Sequence, residues 1–182
     1  MRVIAGIAGG RRIAAPPGTR TRPTADRTRE AMFSTLTALA EFAGARVLDL
    51  YAGSGALGLE ALSRGAASAT FVESDPAALR TLRANVSTLS LHGAEVVAAP
   101  VDRFLASPRP EVSYDVVLAD PPYDLDVGPV LAALVDDGWL APHAVLAVER
   151  SARSGDLVWP EGLVAQRSRR YGATVLWYGS RS

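Results

Sequence analysis

Cysteine is absent from this sequence of 182 residues, which excludes disulfide bonds and thiolate chemistry. The two histidines, His92 and His143, stand alone, so no metal site is expected. No apolar run reaches the length needed to cross a membrane, and the first residues lack the layout of a signal peptide. These absences predict a cytoplasmic protein with neither a metal cofactor nor a membrane partner.

Lysine is absent as well: all 19 basic residues are arginines, and they are balanced by 19 acidic residues. The charge is unevenly distributed, because residues 1–30 hold seven arginines against Asp26 and Glu30, a balance of +5. A local basic cluster binds polyanions even when the whole chain is neutral, although a solvated flexible arm is the alternative interpretation. The candidate nucleic-acid contacts are Arg11, Arg12, Arg20, Arg22 and Arg27.

The composition, with 48% hydrophobic and 21% charged residues, is typical of one globular domain with a substantial core. From residue 46 onward, continuous apolar runs alternate with segments of helical periodicity. This alternation predicts an α/β fold in which a parallel sheet is covered by helices on both faces. The expected strands are 46–50, 69–73, 94–99, 114–119 and 144–149; the expected helices are 55–64, 76–90 and 127–137, with a short turn of helix after Asp102.

The end of the chain departs from this alternation. Two strand-like runs, Leu163–Tyr171 and Ala173–Tyr178, are joined at Gly172. This connection is too short for a crossover helix, so the two runs predict an antiparallel hairpin.

The beginning of the chain also differs from the alternating part. Residues 2–15 contain paired glycines and predict a small hairpin or extended arm. Thr24 is the expected N-cap of a helix over about 25–40. The chain is therefore divided into a basic arm, residues 1–24, and a single domain, residues 25–182.

A glycine turn follows the first predicted strand of the alternating part. Gly53, Gly55 and Gly58 form G-x-G-x-x-G where that strand gives way to a helix. Such a turn lets the backbone approach a ligand, and the helix N-terminus offers free N–H groups. Asp49 precedes the turn, and Glu73 stands at the end of the next strand, where a carboxylate binds ribose hydroxyls in doubly wound sheets. These residues predict a site for a nucleoside-containing cofactor.

A second turn, Asp120-Pro121-Pro122-Tyr123, directly follows the fourth predicted strand. Two prolines cannot continue a strand, so the chain must turn at the carboxyl edge of the sheet, where ligands bind in open α/β folds. A carboxylate, stiffened carbonyls and an aromatic face suit a planar heteroaromatic amine, although a plain strand-ending turn is the alternative. Asp120, Pro121, Pro122 and Tyr123 are therefore the candidate catalytic residues.

The two turns together resemble the amino-methylating branch of class I S-adenosylmethionine-dependent methyltransferases. The N-terminal segments Arg2-Val-Ile-Ala-Gly and Arg22-Pro-Thr-Ala-Asp-Arg27-Thr-Arg-Glu30-Ala-Met-Phe33 narrow the resemblance. With them, the chain resembles the bacterial small-subunit ribosomal RNA guanine-N2 methyltransferase family, which modifies the guanine at nucleotide 966 of 16S rRNA. The match extends over nearly the whole chain, to Arg170-Tyr-Gly172.

The resemblance implies a seven-stranded, mostly parallel, doubly wound Rossmann-like sheet, S-adenosyl-L-methionine as cofactor, and 16S rRNA in the small ribosomal subunit as partner. It implies that Asp49, Gly53 and Gly55 line the methionine end of the cofactor and that Glu73 binds its ribose. It also implies that Asp120, Pro121 and Tyr123 hold the guanine amine, and that Arg22, Thr24 and Arg27 face either the cofactor or the RNA. The cofactor-binding residues expected on this basis are Asp49, Tyr51, Ala52, Gly53, Gly55, Gly58, Glu73, Ser74, Val101, Asp102 and Asp120.

Other functions remain open at the level of the sequence. A nicotinamide dehydrogenase would explain the glycine turn and Glu73 but would leave Asp120–Tyr123 without a use. An amino-methyltransferase acting on DNA adenine, another RNA or a protein glutamine could share the second turn. A non-catalytic RNA-binding factor on the same scaffold would have no need of the glycines and carboxylates.

Overall fold

The computed structural model describes residues 1–15, 23–108 and 112–182, without the side chains of residues 23–25. Arg20 and Arg22, two of the candidate nucleic-acid contacts, lie outside the described residues. In the part that is described, no helix is long and apolar enough to cross a membrane.

Twelve helices and strands make up the described fold. The strands are β1 (Arg46–Leu50), β2 (Ser68–Glu73), β3 (Ala94–Ala98), β4 (Tyr114–Ala119), β5 (Leu140–Ser151), β6 (Leu163–Tyr171) and β7 (Thr174–Arg181). The helices are α1 (Pro23–Leu39), α2 (Ala56–Ser63), α3 (Pro76–Leu89), α4 (Val101–Leu105) and α5 (Gly128–Asp136).

The strands form one sheet of seven in the order β3-β2-β1-β4-β5-β7-β6. Strands β1 to β5 are parallel to their neighbours, while β7 runs antiparallel to both β5 and β6. The predicted parallel sheet with an antiparallel C-terminal hairpin is therefore confirmed. The strand order reverses between β1 and β4, and ligands bind outside the carboxyl ends of the strands at such a point.

Two hydrophobic cores fill the spaces on either face of the sheet. One core joins the strands to α1, α2 and α3, with Phe33, Leu59 and Leu82 among its buried side chains. The other joins them to α4 and α5 around the buried Trp139, and Trp177 packs against its edge. Because both faces are covered, the central strands are apolar on both sides, as their sequence indicates.

Several boundaries differ from those expected from the sequence, and three of them have a clear physical reason. α1 begins at Pro23, so Thr24 lies inside the first turn of the helix and the predicted N-cap is wrong; proline suits that first turn. α4 includes Asp102 rather than following it. β5 begins at Leu140, because Leu140 pairs with Tyr114 before an irregular stretch that contains Pro142. Proline is rare inside a strand, so the sequence gives no sign that the strand starts before it.

The N-terminal residues form a hairpin in which Arg2 and Arg12 make an antiparallel bridge, and the Val3 N–H donates to the Arg11 carbonyl at 3.0 Å. This hairpin packs against the core, since Val3 and Ile13 are buried in it. Its backbone is also fixed by the fully buried Glu60 of α2, whose carboxylate accepts hydrogen bonds from the N–H groups of Ile4 and Ala5 at 2.7 and 3.0 Å.

Candidate active site

The two turns that the sequence singled out leave neighbouring strands at the same level. β1 and β4 are paired, with Leu50 opposite Ala119. The glycine turn begins directly after Leu50, and Asp120 directly follows Ala119. The fold therefore brings the predicted cofactor turn and the predicted catalytic turn together at the carboxyl edge, where the strand order reverses.

The three glycines of the first turn have different surroundings. A Cβ atom at Gly53 (φ +56°) would meet nothing nearer than the Tyr51 carbonyl oxygen, at 4.0 Å. A Cβ atom at Gly55 (φ +80°) would lie 2.3 Å from Leu82, and one at Gly58 would lie 2.4 Å from the Phe71 ring. Of these three glycines, only Gly53 faces open space, while Gly55 and Gly58 allow α2 to pack closely. The contacts of the three glycines with a cofactor stay predictions.

Asp49 lies beneath the turn and is 1% exposed. Its Oδ2 atom accepts a hydrogen bond from the Gly58 N–H at 2.8 Å, which fixes the first turn of α2. Its Oδ1 atom is buried and has no hydrogen-bond partner among the described residues. Burial raises the pKa of Asp49 well above its usual value, the Gly58 N–H lowers it, and the charges of Asp120 and Glu73 raise it further. The free buried oxygen is a ready acceptor for a ligand donor.

Glu73 closes the neighbouring β2 strand and links it to the glycine turn. Its Oε2 atom accepts the Gly53 N–H at 2.8 Å, and its Oε1 atom accepts the N–H groups of Ser74 and Asp75, both at 2.7 Å. A carboxylate has about four lone-pair sites, so one remains for a further donor. The predicted contact of Glu73 with a ribose hydroxyl fits this remaining site and stays a prediction.

Four more candidate cofactor residues lie at the same edge. Ala52 is held by a hydrogen bond from its N–H to the Val72 carbonyl at 3.1 Å. Tyr51 has a positive φ of 58°, and its pKa is raised to about 12, first by burial and then by the charge of Asp102. At the start of α4, Val101 is buried and Asp102 is exposed. α4 follows β3, whose last residue pairs with Glu73, so the start of α4 borders Glu73.

The second turn presents its chemical groups to solvent. Pro121 is buried, whereas Asp120 is exposed and Tyr123 is 65% exposed. The Tyr123 carbonyl accepts a hydrogen bond from the Ser154 hydroxyl at 3.4 Å, which ties the turn to the loop after β5. The exposed ring of Tyr123 is free to stack on a planar ligand.

Asp120 has accessible surface although protein atoms surround it on most sides, as expected of a residue in an open cleft. The loss of hydration in this cleft raises the pKa of Asp120 to about 6. The carboxyl group is therefore mostly ionised at neutral pH, but less firmly than a surface aspartate.

Glu149 is a site residue that the sequence analysis missed. It lies on β5 directly after Val148, which pairs with Ala119 of β4, so Glu149 and Asp120 are neighbours across the sheet. Burial raises the pKa of Glu149 to about 8, the charge of Asp120 raises it as well, and a hydrogen bond with Thr174 lowers it. Glu149 is hidden in an ordinary strand pattern, and only the register of two distant strands reveals it.

Four neighbouring strands each carry a carboxyl group on the same face of the sheet. One core contains the side chains of Val47, Phe71, Leu118 and Ala147. Side chains two positions apart in a strand point to the same face, so the acidic residue two positions after each of them points the same way. These acidic residues are Glu73, Asp49, Asp120 and Glu149, in the order of the strands. The row suits a cationic ligand such as a sulfonium, and the unpaired Asp49 oxygen and the open space at Gly53 fit the amino-acid end of S-adenosylmethionine.

The candidate nucleic-acid contacts that the structure describes, Arg11, Arg12 and Arg27, lie on the N-terminal hairpin and on α1. The Arg11 guanidinium donates hydrogen bonds to the carbonyls of Leu89 and Thr88 at 2.8 and 2.6 Å, at the end of α3 furthest from the two turns. Arg12 is exposed beside it, and Arg27 is exposed in the first half of α1. Contact of these arginines with RNA stays a prediction.

Comparison with known proteins identifies the family. A family model described as conserved hypothetical protein 95 matches residues 1–180. The chain belongs to this family. It is 40% identical over 156 residues to ribosomal RNA small subunit methyltransferase D of Escherichia coli, a match that covers 85% of this chain and 77% of the relative. It is 38% identical over 183 residues to the putative rRNA methyltransferase YlbH of Bacillus subtilis, covering 96% and 95%.

Solved structures of similar proteins share the fold. A putative methyltransferase from Escherichia coli, yhhF, superposes with a TM-score of 0.88 at 35% identity and covers 100% of this chain and 97% of its own. A putative methylase from Haemophilus influenzae, HI0767, gives a TM-score of 0.81 at 31% identity, covering 99% and 97%. The Rossmann-like methyltransferase fold and the family inferred from the motifs are thus confirmed, and the dehydrogenase alternative is wrong.

Proposed function

We propose that this protein transfers a methyl group from S-adenosyl-L-methionine to the exocyclic N2 amine of a guanine in small-subunit ribosomal RNA, of the nucleotide 966 type in 16S rRNA. The observation that carries the proposal is the meeting of the glycine turn and Asp120–Tyr123 at the carboxyl ends of the paired strands β1 and β4. The Escherichia coli and Bacillus subtilis relatives, which are named as rRNA methyltransferases, support the class of reaction and substrate.

The cofactor supplies an electrophilic methyl group carried on a positively charged sulfur. In our proposal the row of acidic side chains favours this positive charge, and Asp49 offers its free oxygen to the amino-acid end of the cofactor. Glu73 accepts a ribose hydroxyl, and the segment around Val101 and Asp102 borders the adenine. Gly53 leaves the space in which the ligand approaches the backbone.

The amine of guanine is a poor nucleophile, because its lone pair is delocalised into the ring. Asp120 and the Pro121 carbonyl accept hydrogen bonds from the amine, which turns the lone pair toward the methyl group. As a nitrogen–carbon bond replaced the sulfur–carbon bond of the donor, which would leave as a neutral thioether, positive charge would move onto the nitrogen. The ionised Asp120 would stabilise this charge and then take the released proton. The pKa of Asp120, raised to about 6, suits this acceptance at neutral pH.

The target base must reach the edge of the sheet, so it leaves its stack or is already unpaired. In our proposal the ring of Tyr123 replaces the lost stacking, since 65% of this side chain is exposed at the turn. Arg11, Arg12, Arg20, Arg22 and Arg27 contribute to binding the RNA backbone. The cytoplasmic location stays a prediction.

The function is tested by incubating the protein and tritiated cofactor with small ribosomal subunits that lack the modification, and by mapping the labelled base. We expect label on the N2 atom of one guanine. The Asp120→Ala variant should lose about 10²–10³-fold in turnover while its affinity for the cofactor stays nearly unchanged. Asp124→Ala, which removes an exposed carboxylate of the same loop, is the matched control and should keep its activity.

Each result has a distinct meaning. Label on adenine, on another RNA or on protein would contradict the substrate, and retention of RNA without any transfer would indicate a non-catalytic binding factor. A near-normal rate of Asp120→Ala would remove Asp120 from the chemistry while leaving the reaction in place.

A further inference from the structure

The last strand of the sheet in space, β6, is unusual in its charge. Seven of its nine residues are exposed, and three of these are arginines: Arg167, Arg169 and Arg170. No ion pair involves these arginines among the described residues. Arg170 donates a hydrogen bond from its Nε atom to the Gly172 carbonyl at 3.0 Å. The guanidinium groups of Arg167 and Arg169 are available to an external anion.

The arginines divide between the two faces of the strand. Arg167 lies opposite Tyr178 and Arg169 lies opposite Leu176, and both partners belong to the core beneath α1. The pKa of Tyr178, raised to about 12 mainly by burial, is lowered in part by the charge of Arg167, so the two side chains lie on the same side. Arg170 lies opposite Val175, which points to the other face.

The face that carries Arg167 and Arg169 is also the face of the acidic row. Leu176 of β7 pairs with Glu149 on one side and with Arg169 on the other. Asp120, Glu149, Leu176 and Arg169 therefore lie in one line across four strands. Adjacent strands are about 4.8 Å apart, so the backbone of Arg169 lies about 10 Å from that of Glu149. Leu176 between them is fully buried, so a phosphate held by Arg169 would lie at the exposed edge of the sheet beside β6 and not over Leu176.

An RNA substrate faces an electrostatic obstacle at this site. Asp120, which is mostly ionised at neutral pH, repels the phosphates on either side of a base placed over it. At physiological salt, charges act over a distance of about 8–10 Å, so compensating cations must lie within that distance. Arg11 is held at the far end of α3, whereas Arg167 and Arg169 lie beside the site.

We propose that Arg167 and Arg169 form a phosphate-binding surface that holds the RNA backbone next to the target nucleotide while the base enters the acidic cleft. The inference rests on the proposed function and adds to it a second RNA contact, on the side of the site opposite the glycine turn. Guanidinium groups suit this partner because each makes two parallel hydrogen bonds to a phosphate.

Charged residues on an edge strand have a simpler use, because they prevent the edge from pairing with another sheet. Protection of the edge depends on the charge of the strand and not on which face of the sheet carries the arginines. Phosphate binding beside the site requires the arginines to lie on the face of the acidic row. Arg150 and Arg170 provide the comparison, since both lie opposite Val175 and point away from the acidic row.

The test compares two double variants with the same change in net charge: Arg167→Gln with Arg169→Gln, and Arg150→Gln with Arg170→Gln. Affinity for transcribed small-subunit rRNA is measured across a series of salt concentrations, and binding of the cofactor reports that each variant is folded. The first pair should weaken RNA binding by tenfold or more at about 100 mM salt and reduce the salt slope by about 2, one for each phosphate contact. The second pair should change the affinity less than about twofold.

Replacement of Arg167 and Arg169 by lysine keeps the charge, so the salt slope should return even if the affinity recovers only in part. Equal weakening by the two double variants, with methylation intact in the wild type, would overturn the proposed surface and leave the function standing. A wild-type protein that neither binds nor methylates rRNA would overturn both.

Discussion

At the scale of single residues, the site is defined by carboxyl groups kept in an environment that disfavours their charge. Asp49, Asp120 and Glu149 all have raised pKa values, and burial is the largest cause for each. Asp120 and Glu149 are close enough that their protons come off as a coupled pair. Between pH 6 and pH 8, the pair therefore tends to hold one proton, mainly on Glu149.

The sequence identified Asp120 and Asp49 because each stands beside a turn that interrupts a strand. It did not identify Glu149 or Glu60, since neither interrupts a pattern. Glu149 continues a strand, and Glu60 occupies an interior position of an apolar helix. Both acquire their roles from partners more than 25 residues away, Asp120 for one and Ile4 and Ala5 for the other, and local periodicity carries no information about such contacts.

Glu149 gives a prediction about stability and pH. Its pKa rises from 4.5 when solvated to about 8 in the folded protein, so the native state binds more protons than the unfolded state between these values. Stability should therefore fall as the pH rises through this window. Glu149→Gln removes that loss: the variant should match the wild type near pH 4.5 and exceed it by about 1–3 kcal/mol near pH 8.5.

Urea unfolding of both proteins at several pH values measures the effect, with Glu161→Gln as the control because Glu161 is exposed in a turn. The control keeps Glu149 and should therefore follow the wild-type curve at every pH. If Glu149→Gln followed the wild-type curve at every pH, the raised pKa of Glu149 would be wrong.

At the scale of elements, the sequence predicted the strands and helices of the alternating part to within a few residues. The glycine turn, the double proline and Asp75-Pro76 each mark a boundary by a local steric or capping rule. Asp75 caps α3 by accepting the Ala78 N–H at 2.7 Å. The start of β5 could not be predicted, because Leu140 becomes a strand residue only by pairing with Tyr114.

The glycines of the first turn serve two purposes, which are close packing of α2 and open space for a ligand. The sequence motif alone does not show which glycine serves which purpose. Gly58→Ala would place a methyl group 2.4 Å from the Phe71 ring and should lower stability by about 1–3 kcal/mol through overpacking. Gly53→Ala meets no neighbour, so only its positive φ opposes the change, at a cost of about 1 kcal/mol. Thermal unfolding should therefore show the larger loss for Gly58→Ala.

Cofactor affinity should show the opposite order, because Gly53 faces the open side of the turn. Calorimetric titration with S-adenosylmethionine measures this directly on both variants. Tighter binding by Gly53→Ala than by Gly58→Ala would assign the open side of the turn to something other than the cofactor.

At the scale of the whole molecule, the N-terminal residues connect distant parts of the fold. They contact the end of α3 through Arg11 and then run toward the glycine turn. There the Asn85 side chain accepts the Ala14 N–H at 2.8 Å and donates to the carbonyls of Ala14 and Ser54, both at 2.9 Å. The basic segment is thus tied to the turn that the cofactor is proposed to occupy.

The division of the chain into an arm, residues 1–24, and a domain, residues 25–182, stays a prediction. The contacts of the N-terminal residues allow it to be tested. Glu60 provides the test, because its fully buried carboxylate accepts from Ile4, Ala5 and the Arg64 guanidinium, the last at 2.8 Å. Glu60→Ala leaves these buried donors without a partner and should destabilise the protein by about 2–4 kcal/mol. Glu60→Gln keeps one acceptor oxygen and should cost less.

Hydrogen exchange distinguishes a separate arm from a segment that unfolds with the sheet. If residues 1–15 fold as one unit with the rest, Glu60→Ala should shift the urea midpoint of the whole protein and accelerate exchange at Val3 and Ile13 together. If they form an independent arm, exchange should accelerate there while the global midpoint stays unchanged. We expect the first result, because Val3 and Ile13 belong to the same hydrophobic core as Phe33 and Leu59. If the N-terminal residues left this core, its remaining side chains would lose the apolar burial that stabilises them.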